Sequence, residues 1–205
     1  MPGPRRLIQL YAGLALYGFS DAMILGARIG ADPWDVFHQG LARQSGMAVG
    51  TSAIIVGAVV LLLWIPLRQR PGIGTVSNVV VIGTVINLAL PLMPPSPALG
   101  TSFALLIGGV VLNGVATGAY IGAGLGPGPR DGLMTGYAAR GHSIRAVRTV
   151  IELTVLSVGF LLGGTVGIGT VVYALAIGPL AHVFIPLLKI GRPRRGSARA
   201  VSQGA

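Results

Sequence analysis

Six apolar runs, each close to the roughly 20 residues that carry a helix across about 30 Å of hydrocarbon, fill most of the chain. They cover residues 7–26, 50–67, 72–93, 101–126, 147–163 and 168–188. One soluble core cannot hide that much apolar surface: 52% of the residues are hydrophobic, 10% are charged and the mean hydropathy is +0.77. The bilayer is the solvent that accepts such runs as helices.

The runs are also related to one another. Residues 26–35 close the first run with glycines, pass through Pro33 and place Asp35 two positions on; residues 122–131 do the same through Pro129 and Asp131. A shift of 96 positions superposes Gly26 on Gly122, Gly30 on Gly126, Asp35 on Asp131 and Gly40 on Gly136. From residue 72 the shift becomes 95, which matches Gly72-Ile73-Gly74-Thr75-Val76 to Gly167-Ile168-Gly169-Thr170-Val171. After each proline comes a stretch too short to span. Residues 34–44 place Trp34, Phe37 and Leu41 on one face, and residues 129–141 form the counterpart, so each predicts a short interfacial or re-entrant helix.

Basic residues set the orientation. Arg5 and Arg6 precede the first run, Arg68 and Arg70 follow the second, Arg130, Arg140, Arg145 and Arg148 follow the fourth, and Lys189 to Arg199 follow the sixth; the remaining loops hold only Arg28 and Arg43. Alternating basic and near-neutral loops put both termini in the cytoplasm. Three crossings per repeat is odd, so the halves are expected to lie in opposite orientations, an arrangement found in many secondary transporters. The sequence predicts an all-α membrane protein of six transmembrane helices, built as two inverted-topology three-helix repeats. Residues 1–97 form the first repeat, 98–190 the second and 191–205 a basic cytoplasmic tail. The first run exceeds a signal-peptide core and belongs to the repeat, which predicts an uncleaved anchor.

Several function classes are poorly supplied. There is no cysteine for disulfides, thiolate catalysis or thiolate metal sites, and His38, His142 and His182 form no ligand cluster at helical spacing with the five acids. No metal and no cofactor are expected. The net charge of +10 sits between apolar runs rather than on a face interleaved with aromatics, which argues against nucleic acid. No nucleophile and base pattern, phosphate loop or dinucleotide fingerprint survives in this setting, so the chain reads as a non-enzyme.

Candidate functional residues are the polar groups that apolar runs do not explain. Asp21 falls inside the first helix, where a carboxylate facing lipid costs several kcal/mol and must turn to the bundle, a cavity or a partner. Asp35 and Asp131 open the two short helices, with Arg130 between Pro129 and Asp131; they read either as helix caps or as the two mouths of a solute or ion site. The 95-residue shift pairs Asn87 with His182 and Asn78 with Tyr173 at matched depth, as interhelical hydrogen bonds or as the lining of a path. Glu152, one turn beyond Arg148, reads as a surface ion pair. Gly114, Gly118, Gly122 and Gly126 recur every fourth residue and predict close helix packing.

Three segments carry a family resemblance: Gly30 to Asp35 as Gly-x-x-Pro-Trp-Asp, Gly72 to Asn78 as Gly-Ile-Gly-Thr-x-x-Asn, and Gly126 to Met134 as Gly-x-Gly-Pro-Arg-Asp-Gly-Leu-Met. Together they resemble the bacterial integral membrane proteins called YczE-like, related to the YitT group. The resemblance implies a small bacterial inner-membrane protein and supplies neither substrate nor catalytic residues. Two functions remain open on the residues: transport of a small solute or ion, or regulation or scaffolding of another protein by a membrane partner whose basic tail contacts anionic lipid. A second copy of the chain is a further partner left open.

Overall fold

The computed structural model describes residues 2–191, and every element among them is helical. The helices are α1 (Pro4–Ala27), α2 (Pro33–Ser45), α3 (Val49–Leu67), α4 (Ile73–Ala89), α5 (Leu99–Gly122), α6 (Pro129–Ala138), α7 (Ile144–Leu161) and α8 (Ile168–Leu188). A single 3-10 turn, Leu90–Leu92, continues α4. The basic stretch Arg192 to Arg199 lies outside the described residues.

Five helices are long and apolar enough to cross a membrane: α1, α3, α4 with its 3-10 turn, α5 and α8. The remaining expected span, α7, is continuous but carries Arg145, Arg148 and Glu152 in its first half and falls outside that set. Large apolar side chains cover the outside of the bundle. Leu175 and Leu187 on α8 are each 72% exposed, which water would penalise and lipid tails would not.

Hydrogen bonds between chain segments sort the helix ends into two groups. At one end Arg6 of α1 donates to the carbonyls of Ile190 and Gly191, Gln9 donates to Leu188 and Ala119, and Arg140 reaches Pro66. At the other, Arg43 bonds Gly163, Gln44 donates to Leu162 at 3.1 Å, and Gly26 lies against Met93. Thus α1, α4 and α7 leave the first end while α3, α5 and α8 return to it.

The two Gly-Pro loops engage the opposite half of the chain in matching ways. Gly169 N–H donates to the Ile29 carbonyl at 2.8 Å, and Gly74 N–H donates to the Leu125 carbonyl at 3.0 Å. Gly30 and Gly126 hold φ of 112° and 130° and press against Thr170 and Thr75, so a side chain at either would be both strained and blocked. This explains why α5 stops at Gly122, short of the expected residue 126: Gly124 and Gly126 turn the chain through positive φ.

α1 and α5 form the central pair, flanked by α4 on α1 and α8 on α5. Leu10, Leu14, Ile24, Ile86 and Leu106 fill the space among α1, α4 and α5. The glycine series on α5 packs as its spacing predicts, with Gly114 against Leu180, Gly118 against Phe184 and Gly122 against Leu188. α2 packs on α7 and α6 on α3, with Trp64 Nε1 donating to the Pro129 carbonyl at 3.0 Å.

Candidate functional site

Both short helices begin inside the bundle. Asp32 caps α2 in the ordinary way, its Oδ1 accepting from the backbone N–H of Trp34 at 2.7 Å and of Asp35 at 3.0 Å, with Pro33 in the first turn where no N–H is needed. Yet Asp32, Asp35 and His38 are each at most 2% exposed. The loop turns α2 back toward α1 so that Asp21, Asp32 and Asp35 converge, with one carboxylate oxygen from each within 4.8 Å of the others. α6 starts the same way from the other half, and Arg130 in its first turn puts Nη1 3.6 Å from Asp32 Oδ1. The Arg130 guanidinium also lies 5.0 Å from the centre of the Trp34 ring, within the range of a cation–π contact.

A polar shell fixes this cluster. Asn113, fully buried on α5, donates to Asp21 Oδ1 at 2.7 Å and to Ser20 Oγ at 3.0 Å, and accepts from the Tyr173 hydroxyl at 3.0 Å. The Tyr120 hydroxyl donates to Asp131 Oδ2 at 3.2 Å, and Tyr17 meets Tyr120 edge to face. His38 Nδ1 is 3.3 Å from Asp35 Oδ1.

Burial dominates the electrostatics. It pushes Asp35 up to about 6, against the pull of Arg130. It also raises Asp32, with the neighbouring Asp35 adding to the effect and Arg130 opposing it. Burial and the Arg130 charge hold His38 down to about 3, so its imidazole is neutral at physiological pH. For Arg130 burial works against the charge, but Asp32, Tyr17 and Asp35 outweigh it, and the guanidinium stays charged.

Cavities flank the cluster on two sides. One of about 90 Å³ is walled by α3 and α4 and reaches Trp34, His38, Asn78, Arg130 and Asp131. The other, about 220 Å³, lies between α7 and α8 and reaches Asp32, Trp34, Arg130, Asp131 and Tyr173. At roughly 30 Å³ per water the second holds several waters or one small solute. Trp34 borders both cavities, and its Nε1 is a buried donor without a protein acceptor. Arg130 and Trp34 therefore offer donors to a bound molecule, and Asp32 Oδ2 offers an acceptor.

Of the residues singled out from the sequence, Asp21, Asp35 and Arg130 come together, and Asp131 lies beside them on both cavity walls. Asn87 does not join them; its Nδ2 donates to Thr51 Oγ1 at 3.0 Å across the α3–α4 seam. His182 sits exposed on α8, outside both cavities. Glu152 accepts from Arg148 at 2.8 Å on α7, the expected ion pair. Sequence spacing revealed no ligand cluster among the acids, because Asp21 and Asp32 meet only after the chain reverses between α1 and α2. Asn113 and Tyr17 are not among the sequence candidates, and Trp34 figures there only on the face of the short helix, although the 96-residue shift carries a signal for them: it pairs Tyr17 with Asn113 and Trp34 with Arg130.

The family model described as "Family of unknown function (DUF6198)" matches residues 4–186. An uncharacterized protein of Haemophilus influenzae is 38% identical over 88% of this chain and 83% of its own. The uncharacterized membrane protein YczE of Bacillus subtilis is 34% identical over 92% of this chain and 91% of its own. A third relative, the uncharacterized protein YyaS of Bacillus subtilis, is 25% identical over 90% of this chain and 96% of its own. No solved structure matches.

Proposed function

The chain belongs to the DUF6198 family, as a helical membrane protein, and on that footing we propose that it is a secondary transporter or permease for a small polar solute or ion, not an enzyme. The observation that carries this reading is the meeting of the two Gly-Pro loops, one from each half, at a buried charged cluster beside cavities. Irregular backbone at depth is tolerated where it lines such a site. The reciprocal contacts Gly169–Ile29 and Gly74–Leu125 support two inverted repeats, and the antiparallel run of the helices supports six crossings. Residues 1–97 and 98–190 are then the two repeats in a bacterial plasma membrane, with the arginine-rich end in the cytoplasm.

In this reading Arg130, Trp34 and Asp32 bind the solute between the loops. The α7–α8 cleft gives access from the arginine-rich end while the α3–α4 seam is shut, which is one state of an alternating-access cycle. The lipid bilayer is the partner that the exposed faces of α3 and α8 require.

The test is uptake into proteoliposomes from a panel of radiolabelled amino acids, small carboxylates and inorganic ions. At least one solute should enter with protein and not without it. Arg130→Gln, Asp35→Asn and Asp131→Asn should each lower its rate by about tenfold or more, a loss of roughly 1.4 kcal/mol in binding or barrier. Flux that persists unchanged in all three removes the site assignment, and a panel with no flux removes transport.

A further inference from the structure

Three acids point at one another in the interior with one countercharge between them. Each carboxylate spends one oxygen locally: Asp21 Oδ1 on Asn113, Asp32 Oδ1 on the backbone of α2, Asp35 Oδ1 toward His38. The second oxygen of each, Asp21 Oδ2, Asp32 Oδ2 and Asp35 Oδ2, is buried without a hydrogen-bond partner. Those orphaned oxygens are an observation separate from the clustering, since buried acceptors are nearly always satisfied.

We propose that Asp21, Asp32 and Asp35 bind one divalent hard cation of about the size of Ca²⁺. The donors are all carboxylate oxygens, the set that suits hard cations and not soft ones. Charge agrees: three carboxylates less the Arg130 guanidinium leave two negative charges for one divalent ion. Size agrees as well. Two oxygens on one Ca²⁺, each about 2.3 to 2.6 Å from it, lie at most about 5 Å apart, so three carboxylate oxygens within 4.8 Å of one another fit around such an ion. Asp32 lines the α7–α8 cavity and gives the ion its way in. Neutral His38 stays outside the ligand set as a hydrogen-bond partner that orients Asp35.

This inference concerns the same buried site as the transport reading, and binding and flux are measured separately so that either can fail alone. The full chain, purified in detergent and stripped with chelator, is titrated with Ca²⁺ by calorimetry and with Tb³⁺ by luminescence sensitised through tryptophan. One saturable site per chain is expected, with Ca²⁺ displacing Tb³⁺ and raising the unfolding midpoint. Asp21→Asn and Asp32→Asn should weaken binding by roughly 10- to 100-fold, while His182→Gln, outside both cavities, leaves it unchanged. Trp34→Phe should remove most of the Tb³⁺ signal but keep the Ca²⁺ heat, which locates the ion even if the Asp variants fail to fold. No saturable Ca²⁺ or Tb³⁺ binding by folded wild type, uptake of protons alone, Ca²⁺ binding indifferent to both Asp21→Asn and Asp32→Asn, or a Tb³⁺ signal that survives Trp34→Phe overturns the proposal.

Discussion

The α3–α4 seam and the α7–α8 seam occupy matching places in the two halves, and they differ in the one respect that governs access. In the first, Gly50 and Gly83 bring two backbones together so closely that a methyl on either would fall on the other's carbonyl oxygen, and Asn87 bridges to Thr51. In the second, Gly178, which the 95-residue shift matches to Gly83, faces open space. His182 stands where Asn87 would be and is exposed; Arg145 and Ala146 stand where Gly50 would be. A glycine permits close approach only where a neighbouring element is placed to use the space, as at Gly50 and Gly83 but not at Gly178. The same fold therefore packs one seam closely and leaves a wider cleft in the other; both cavities reach Arg130, and of the two the larger, between α7 and α8, also reaches Asp32.

The contrast can be broken most directly by bulk. Gly50→Leu should wedge the closed seam and cost about 3 kcal/mol, seen in detergent as a drop of several degrees in unfolding midpoint, whereas Gly178→Leu should stay within about 0.5 kcal/mol of wild type. Equal losses would mean that the two seams are packed alike.

Chemical access sharpens the same point. The chain has no cysteine, so single replacements report cleanly. Ala181 lines the cleft and its counterpart Ile86 is fully buried. Ala181→Cys should react with a water-soluble maleimide about tenfold or more faster than Ile86→Cys; comparable rates would remove the cleft as an aqueous path.

The smallest effect separates the matched threonines. Thr75 Oγ1 accepts from Gly72 N–H at 3.2 Å and donates to the Pro127 carbonyl at 2.8 Å, while Thr170 Oγ1 accepts from Gly167 N–H at 3.3 Å with no such donation among the described contacts. Thr75→Val should cost about 1 kcal/mol and Thr170→Val about half that in thermal unfolding. A larger loss at Thr170 would show that the first Gly-Pro loop, not the second, is the better anchored.

Much of the helix plan is legible in the residues. α8 begins and ends where its apolar run does, and α2 begins at the Asp32-Pro33 cap, because hydrophobic length and capping chemistry are local properties. The end of α5 is less legible, since an apolar glycine run does not reveal where φ turns positive. Within the site, Asp21 stood out because a carboxylate in an apolar run demands an explanation. Asp32 did not, because capping already explained it.

What the sequence determined alone is the solvent and the register. Apolar runs of bilayer length compel helices, and the 96- and 95-residue shifts match positions in the two halves, since both are read along the chain itself. Only the tertiary structure decided which polar groups share a space. Asp21 on α1, Asp32 and Asp35 on α2, Asn113 on α5 and Arg130 on α6 are far apart in sequence and meet because both loops reverse into the bundle. It also decided that one seam packs more closely than the other, since a glycine's effect depends on what stands opposite it.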